Sequence, residues 1–185
     1  MYRSFDYLEL NTLKEIVDNY DRDYHGHTVE ITTNFKPLQN IVINFDILDI
    51  PHLLGLQYLS KRRSASHIIE LIKSGDLTLD DIKKDLSFGE KIKDRMKYHS
   101  FLNEVFQKNS SQLMVITKDI RPPRLGNVEF LIYDYLDERK KRMVLIGFSP
   151  NNKGYYVPAT LHVRKTPNIF TERRLTEIKS MKWIR

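Results

Sequence analysis

Residues 28–47 read TVEITTNFKPLQNIVINFDI, two stretches of period-two alternation separated by a turn. Val29, Ile31 and Phe35 share one parity, and Ile41, Ile43, Phe45 and Ile47 share another. β-Branched residues at this spacing predict strands, KPLQN at 36–40 supplies the turn, and the pair reads as an antiparallel hairpin. Upstream, residues 5–20 carry Leu8, Leu13, Ile16, Val17 and Tyr20 on one helical stripe. Thr12 with Glu15 has capping-box spacing, so the regular helix starts late. The polar DRDYHGH at 21–27 is a loop. Downstream, Pro51 suits a first helical turn, and a short helix begins near His52. Residues 66–73 look helical and end at Gly75. Another short helix starts at Thr78, with Asp80 and Asp81 in its first turn. Ser87 and Glu90 predict a capping box for a longer helix over 88–108, with Ile92, Met96, His99, Leu102 and Phe106 as its stripe.

The second half turns to β structure. Strands are expected at 113–117, 127–136, 143–148 and 154–163, with Pro158 making the last an edge strand or ending it early. Leu175 and Ile178 stand near helical spacing in the tail, whose form stays open. No repeat or long linker divides the chain, so residues 1–185 are expected to form one domain. The class is α+β: an N-terminal helix and β-hairpin, central helices, and a C-terminal antiparallel sheet.

Composition narrows the chemistry. The 185 residues are 41% hydrophobic and contain no cysteine, which excludes a disulfide scaffold, a thiolate zinc site and a cysteine nucleophile. No apolar run is long enough to span a bilayer, and the first residues do not resemble a signal peptide. A cytoplasmic setting is expected. Net charge is +6 and unevenly placed: residues 139–185 hold 12 basic and 2 acidic residues, whereas residues 1–60 hold 4 and 9. That asymmetry points to a polyanionic partner.

Phosphate-binding glycine motifs, a nucleophile elbow and a cluster of metal-binding carboxylates are all missing. His25 and His27 lack a third ligand at any marked spacing and read as a solvated loop. No metal or other cofactor is expected. What remains is acid–base chemistry on a phosphodiester, in which RNA is cut by its own 2′-hydroxyl. In such a site a histidine can do the proton work, and arginine, lysine, tyrosine or threonine donors can stabilise the phosphate. Two segments supply these groups. The first is PHLLG at 51–55, with Lys61, Arg62 and Arg63 close behind; His52 is either a proton-transfer group or a partly buried histidine bonded to backbone. The second is GYYVPATLHVRK at 154–165. Alternation puts Tyr156, Pro158, Thr160, His162 and Arg164 on one parity until Pro158 disturbs the register, while Val157, Leu161 and Val163 can fill the core. That polar face is either a site or the wet side of an edge strand. His99, on an apolar stripe, reads as structural.

IPHLLGLQYL at 50–59, followed by GYYVPATLHVRKTPN at 154–168, resembles the phage-borne nuclease-like domains grouped with barnase, EndoU, colicin E5/D and RelE, and among them the set called PBECR4. The matching positions are His52, Leu53 and Gly55, then Tyr156, Pro158 and Thr160. The resemblance implies a BECR-like ribonuclease fold and metal-independent RNA cleavage. It also implies a phage or other mobile-element setting, with a role as a toxin or effector. His52, Tyr156 and Thr160 are carried over as catalytic candidates, and His162 is added from its place on the strand. Lys61, Arg62, Arg63, Arg139, Lys140, Lys141, Arg142, Tyr155, Arg164, Lys165, Arg173 and Arg174 are the candidate nucleic-acid contacts. The expected partner is RNA, together with a cognate antitoxin or other protein. The competing expectation is a non-catalytic nucleic-acid binder or phage counter-defence protein of the anti-CRISPR kind, using the basic C-terminal face.

Overall fold

The computed structural model describes residues 12–61, 63–108, 113–116, 125–137 and 141–184. Helix α1 spans Leu13–Asp23. Thr12 caps it as expected: its hydroxyl accepts from Glu15 N at 3.2 Å, and its own N–H donates to the Glu15 carboxylate at 2.6 Å. Strands β1 (Thr28–Thr33) and β2 (Asn40–Asn44) pair antiparallel, with Ile31 opposite Ile41 and Val29 opposite Ile43. Helix α2 is short, Ile50–Leu54, with Pro51 in its first turn. A 3₁₀ turn follows at Leu56–Tyr58. Helices α3 (Ala65–Ser74) and α4 (Leu79–Lys83) begin at Ser64 and Thr78, whose hydroxyls accept backbone N–H groups three residues on.

The long helix expected over 88–108 is broken. A π-helical turn covers Phe88–Ile92, α5 spans Lys93–Lys97, and α6 resumes at Phe101–Phe106. Ser87 does not cap it, because its hydroxyl donates to Asp85 Oδ1 at 2.7 Å instead. Tyr98, at φ −110° and ψ 16°, leaves helical geometry. The apolar stripe survives the break: Ile92, Met96, Leu102 and Phe106 are buried. The burial of these side chains, not local helix geometry, holds the segment.

Strands β3 (Leu113–Ile116), β4 (Phe130–Asp137), β5 (Arg142–Pro150), β6 (Tyr156–Lys165) and β7 (Leu175–Trp183) follow. The tail is thus a strand. The described strands form a closed barrel in the order β1-β2-β6-β5-β4-β3-β7. β7 closes it, pairing antiparallel with both β1 and β3. The weak seam lies between β2 and β6, which run parallel and meet only at Ile43 and Tyr156. β5 is buried on both faces. Val144, Ile146 and Phe148 join the main core with residues of the helices and the hairpin; Met143 and Leu145 join a smaller cluster with Val128, Leu131, Tyr133 and Phe170. This explains its near-continuous apolar run.

Pro158 neither ends β6 nor confines it to an unpaired edge. The strand runs through it to Lys165, paired with β5 throughout. Phe148 faces Pro158 and Gly147 faces Thr160, so Ala159 is one residue too many. A bulge of this kind accommodates a residue that has no N–H for the ladder.

Candidate active site

The bulge redistributes the side chains of β6. Tyr156 and Pro158 lie opposite Pro150 and Phe148, on the face of the main core, whereas Thr160 and His162 lie opposite Gly147 and Leu145 on the other face. Gly147 has no Cβ to offer there: one would sit 3.0 Å from both Thr160 Cγ2 and Val128 Cγ2. The single polar face expected from strict alternation is therefore split. Leu161 fills the core and Val163 packs against it, while Val157 opposes Ser149 on the other side of the bulge.

Arg95, from α5, joins the two sequence segments. It is only 4% exposed. Its Nη1 donates to the carbonyl oxygen of His52 at 2.9 Å and to Thr160 Oγ1 at 3.3 Å. Its Nη2 lies 3.2 Å from Nε2 and 3.3 Å from Nδ1 of His162. Its Cζ is 5.5 Å from the centroid of the Tyr58 ring. The local chain is shaped for this approach. Gly55 ends α2 at φ +77°, and a Cβ there would come within 2.6 Å of Lys91 O and 2.8 Å of Arg95 Cδ. Only glycine supplies both the left-handed backbone and the space.

Among the described residues, no carboxylate forms an ion pair with Arg95. Burial lowers its pKa, the Tyr58 hydroxyl works against that, and Arg164 adds to the lowering. A guanidinium stays charged even so. His162 feels the same field. Burial, then Arg95, Arg164 and Lys91, push its pKa down to about 3, so the ring is neutral at neutral pH and can accept from Arg95. The result is a desolvated cation held by neutral acceptors, with further positive charge nearby. Such a cation is stabilised by an anion that comes from outside.

The other expected residues fall in several places. His52 is exposed, and it meets Arg95 through its backbone carbonyl rather than its ring. Tyr156 stands apart: its hydroxyl donates to Glu129 Oε2 at 2.8 Å, its ring meets Phe130 edge-on at 4.9 Å, and burial with Glu129 raises its pKa to about 12. Arg164 and Lys165 are exposed at the end of β6. Arg142 forms an ion pair with Asp94 and approaches the Tyr98 ring. Lys141 is an exposed turn residue at φ 46°. Lys61 and Arg63 line a separate hollow of about 370 Å³ together with Lys84, Asp76, Asp81 and Asp85. Tyr155 is exposed in the turn before β6. Arg173 is half-buried, and Arg174 lies 4.7 Å from the Phe35 ring, just before β7, at least three strands from β6 around the barrel. Arg62, Arg139 and Lys140 lie outside the described residues. His25 Nδ1 accepts from Ile47 N at 3.1 Å, and His99, which is largely buried, bonds Met96 O at 2.7 Å. Among the described residues, no group of three His, Asp or Glu could hold a metal ion, and no helix is long and apolar enough to cross a membrane.

Arg95, Tyr58 and Lys91 were missed from the sequence. One signal was present: Arg95 is three residues after Ile92 and four before His99, an arginine on an apolar stripe.

A mixed α+β chain with a cationic seam between a short helix and a strand of a closed, mostly antiparallel barrel belongs, by its sequence, to a nuclease class. The family described as phage-Barnase-EndoU-ColicinE5/D-RelE like nuclease, PBECR4, matches residues 12–182, and the chain is a member of that family. No curated protein and no solved structure matches it.

Proposed function

We propose that the protein is an endoribonuclease that cuts RNA without a metal, by attack of the 2′-oxygen on the neighbouring phosphorus. The bond from that oxygen to phosphorus forms as the bond to the 5′-oxygen breaks. One proton leaves the 2′-hydroxyl and one reaches the departing 5′-oxygen. The single observation behind this reading is the buried Arg95 guanidinium. It has no carboxylate partner among the described residues and is set beside Thr160, His162 and the backbone of His52. In this scheme Arg95 and the Thr160 hydroxyl bind the phosphate oxygens, and Arg164 and Lys165 add positive charge. His52, on the solvent side, transfers the proton. His162 starts neutral because burial first, and then Arg95, Arg164 and Lys91, lower its proton affinity; a bound phosphate offsets the cationic part, and in this scheme His162 is the second proton carrier. Tyr156, bonded to Glu129, supports the strand from the opposite face.

The family's nuclease character supports a nucleic-acid substrate. The choice of RNA rests on the absence of metal-ligand clustering in the sequence together with the available imidazoles. We further infer a cytoplasmic toxin or effector encoded by a phage or mobile element, with a cognate antitoxin as its protein partner, testable by co-purification. Labelled RNA should be cut in the presence of EDTA to products ending in a 2′,3′-cyclic phosphate. His52→Ala should abolish cutting while retaining binding. Cutting that needs added metal, or that survives His52→Ala, overturns this mechanism. A second reading, nucleic-acid binding without cleavage, is favoured by the low proton affinity of His162 and by His52 meeting Arg95 through its carbonyl rather than its ring. It would show retarded but intact RNA in the same assay.

A further inference from the structure

We infer that Tyr58 is the stacking platform for an unpaired nucleobase whose phosphate lies on Arg95. This rests on the endoribonuclease reading for its substrate, and adds a base-binding position to it. The 3₁₀ turn Leu56–Tyr58 starts directly after Gly55, so the chain reversal that brings the His52 carbonyl to Arg95 also carries Tyr58. The backbone that carries Tyr58 is held in place. Its N–H donates to Gly55 O at 3.1 Å, and its neighbours Leu56 and Leu59 are buried. The residue nevertheless remains 45% exposed, with its ring centroid 5.5 Å from the Arg95 guanidinium carbon. Tyr58 thus meets the buried cation and is also open to solvent.

One sugar separates a phosphate from its base. An anion on Arg95 therefore brings the attached base within reach of the partly exposed Tyr58, whose aromatic ring suits a base with no Watson–Crick partner. Stacking of this kind uses the π-face that every base has, so it demands an unpaired nucleotide and tolerates any sequence. The chemical class of ligand is single-stranded RNA, held by a phosphate on Arg95 and a base on Tyr58.

Binding tests this directly. The probe is a fluorescein-labelled, fully 2′-O-methylated single-stranded oligoribonucleotide, which cannot be cut, and its affinity is read by fluorescence anisotropy. Tyr58→Phe should bind within about twofold of the unaltered chain. Tyr58→Leu should bind roughly 10-fold more weakly, as expected for the loss of one stacked base. Removing the base at one nucleotide of the probe should cost the unaltered chain a similar factor and cost Tyr58→Leu nothing further. Binding of a paired RNA duplex should be the same for all three proteins. Losses that add at every abasic position, or undiminished binding by Tyr58→Leu, overturn the platform. Because the readout is affinity, the two ideas fail separately. Intact Tyr58 coupling without cleavage of natural RNA would sink the endoribonuclease reading alone, and cleavage without coupling would sink the platform alone.

Discussion

Asp94 and Arg95 are neighbours on one short helix, and they serve two arginine sites of opposite character. Asp94 neutralises Arg142 at a partly solvated pair. Arg95 turns inward, loses its water, and finds only neutral acceptors: a carbonyl, a hydroxyl and an imidazole. The exposed pair contributes little to stability, because water already solvates both partners well. The buried cation leaves its electrostatic demand unmet within the protein. Basic runs in sequence mark Arg142; they do not single out Arg95, whose charge meets no carboxylate among the described residues.

The sharpest way to break this contrast is to keep the charge and remove the geometry. Arg95→Lys should lower RNA cleavage by roughly 100-fold or more, since an ammonium cannot bridge His52 O, Thr160 and His162 from a planar fork. Arg142→Lys should change the same single-turnover rate by less than about threefold. Equal losses would mean that surface charge, not the buried cradle, carries the activity.

A second test separates the crowded approach to Arg95 from ordinary backbone strain. Gly55 and Gly75 both end helices at positive φ, +77° and +85°. A Cβ on Gly75 meets nothing within 4 Å, whereas one on Gly55 meets Lys91 O and Arg95 Cδ. Gly75→Ala should cost about 1–2 kcal/mol, the left-handed backbone penalty alone. Gly55→Ala should cost about 2–4 kcal/mol, because overpacking is added to the same penalty. Denaturant unfolding measures both.

The pH dependence of stability sharpens the comparison further. His162 has its pKa depressed from 6.5 to about 3 by burial and neighbouring cations. Between those values the unfolded chain binds a proton that the folded chain refuses, so this group makes stability fall as pH drops from about 6.5 towards 3. Asp49 is the opposite case. Burial raises its pKa from 3.8 to about 7, with backbone bonding at Asp46 and the Tyr20 hydroxyl opposing that rise. Between 3.8 and about 7 the folded chain holds a proton the unfolded chain has lost, so this group makes stability fall as pH rises. His162→Gln should tilt the stability profile between pH 4 and 6 downward with pH, and Asp49→Asn should tilt it upward, relative to the unaltered protein. Shifts of the same sign would contradict the burial of one of them.

The smallest effect concerns salt. Charge removal at Arg174, beside Phe35 and remote from β6 around the barrel, should weaken RNA binding at low salt and have little effect at high salt. Charge removal at Arg164 should slow cleavage at both.

Much of the fold was legible because its cause is local. Thr12 and Glu15 cap α1, the alternation of 28–47 builds the hairpin, and Gly75 ends α3. The failures were non-local. The segment 88–108 has a continuous helical stripe, yet Ser87 bonds Asp85 and the helix opens into a π turn. The tail stays open in the sequence, with Leu175 and Ile178 near helical spacing, and is a strand because it pairs with both β1 and β3. At the site, His52, Thr160 and His162 were readable as residue types, but Arg95 looked like one more charge on a lysine-rich segment. Tyr156 looked like their companion because strict alternation does not register a bulge.

The sequence alone determined the α+β class, the hairpin, the apolar stripes and the basic C-terminal quarter, because periodicity and charge are properties of neighbouring residues. Only the tertiary structure decided that the strands close into a barrel, that Ala159 sends Tyr156 and His162 to opposite faces, and that Arg95 is buried between α2 and β6. The physical reason is desolvation: a cation's environment depends on what the rest of the chain folds over it, and spacing along the chain does not encode that.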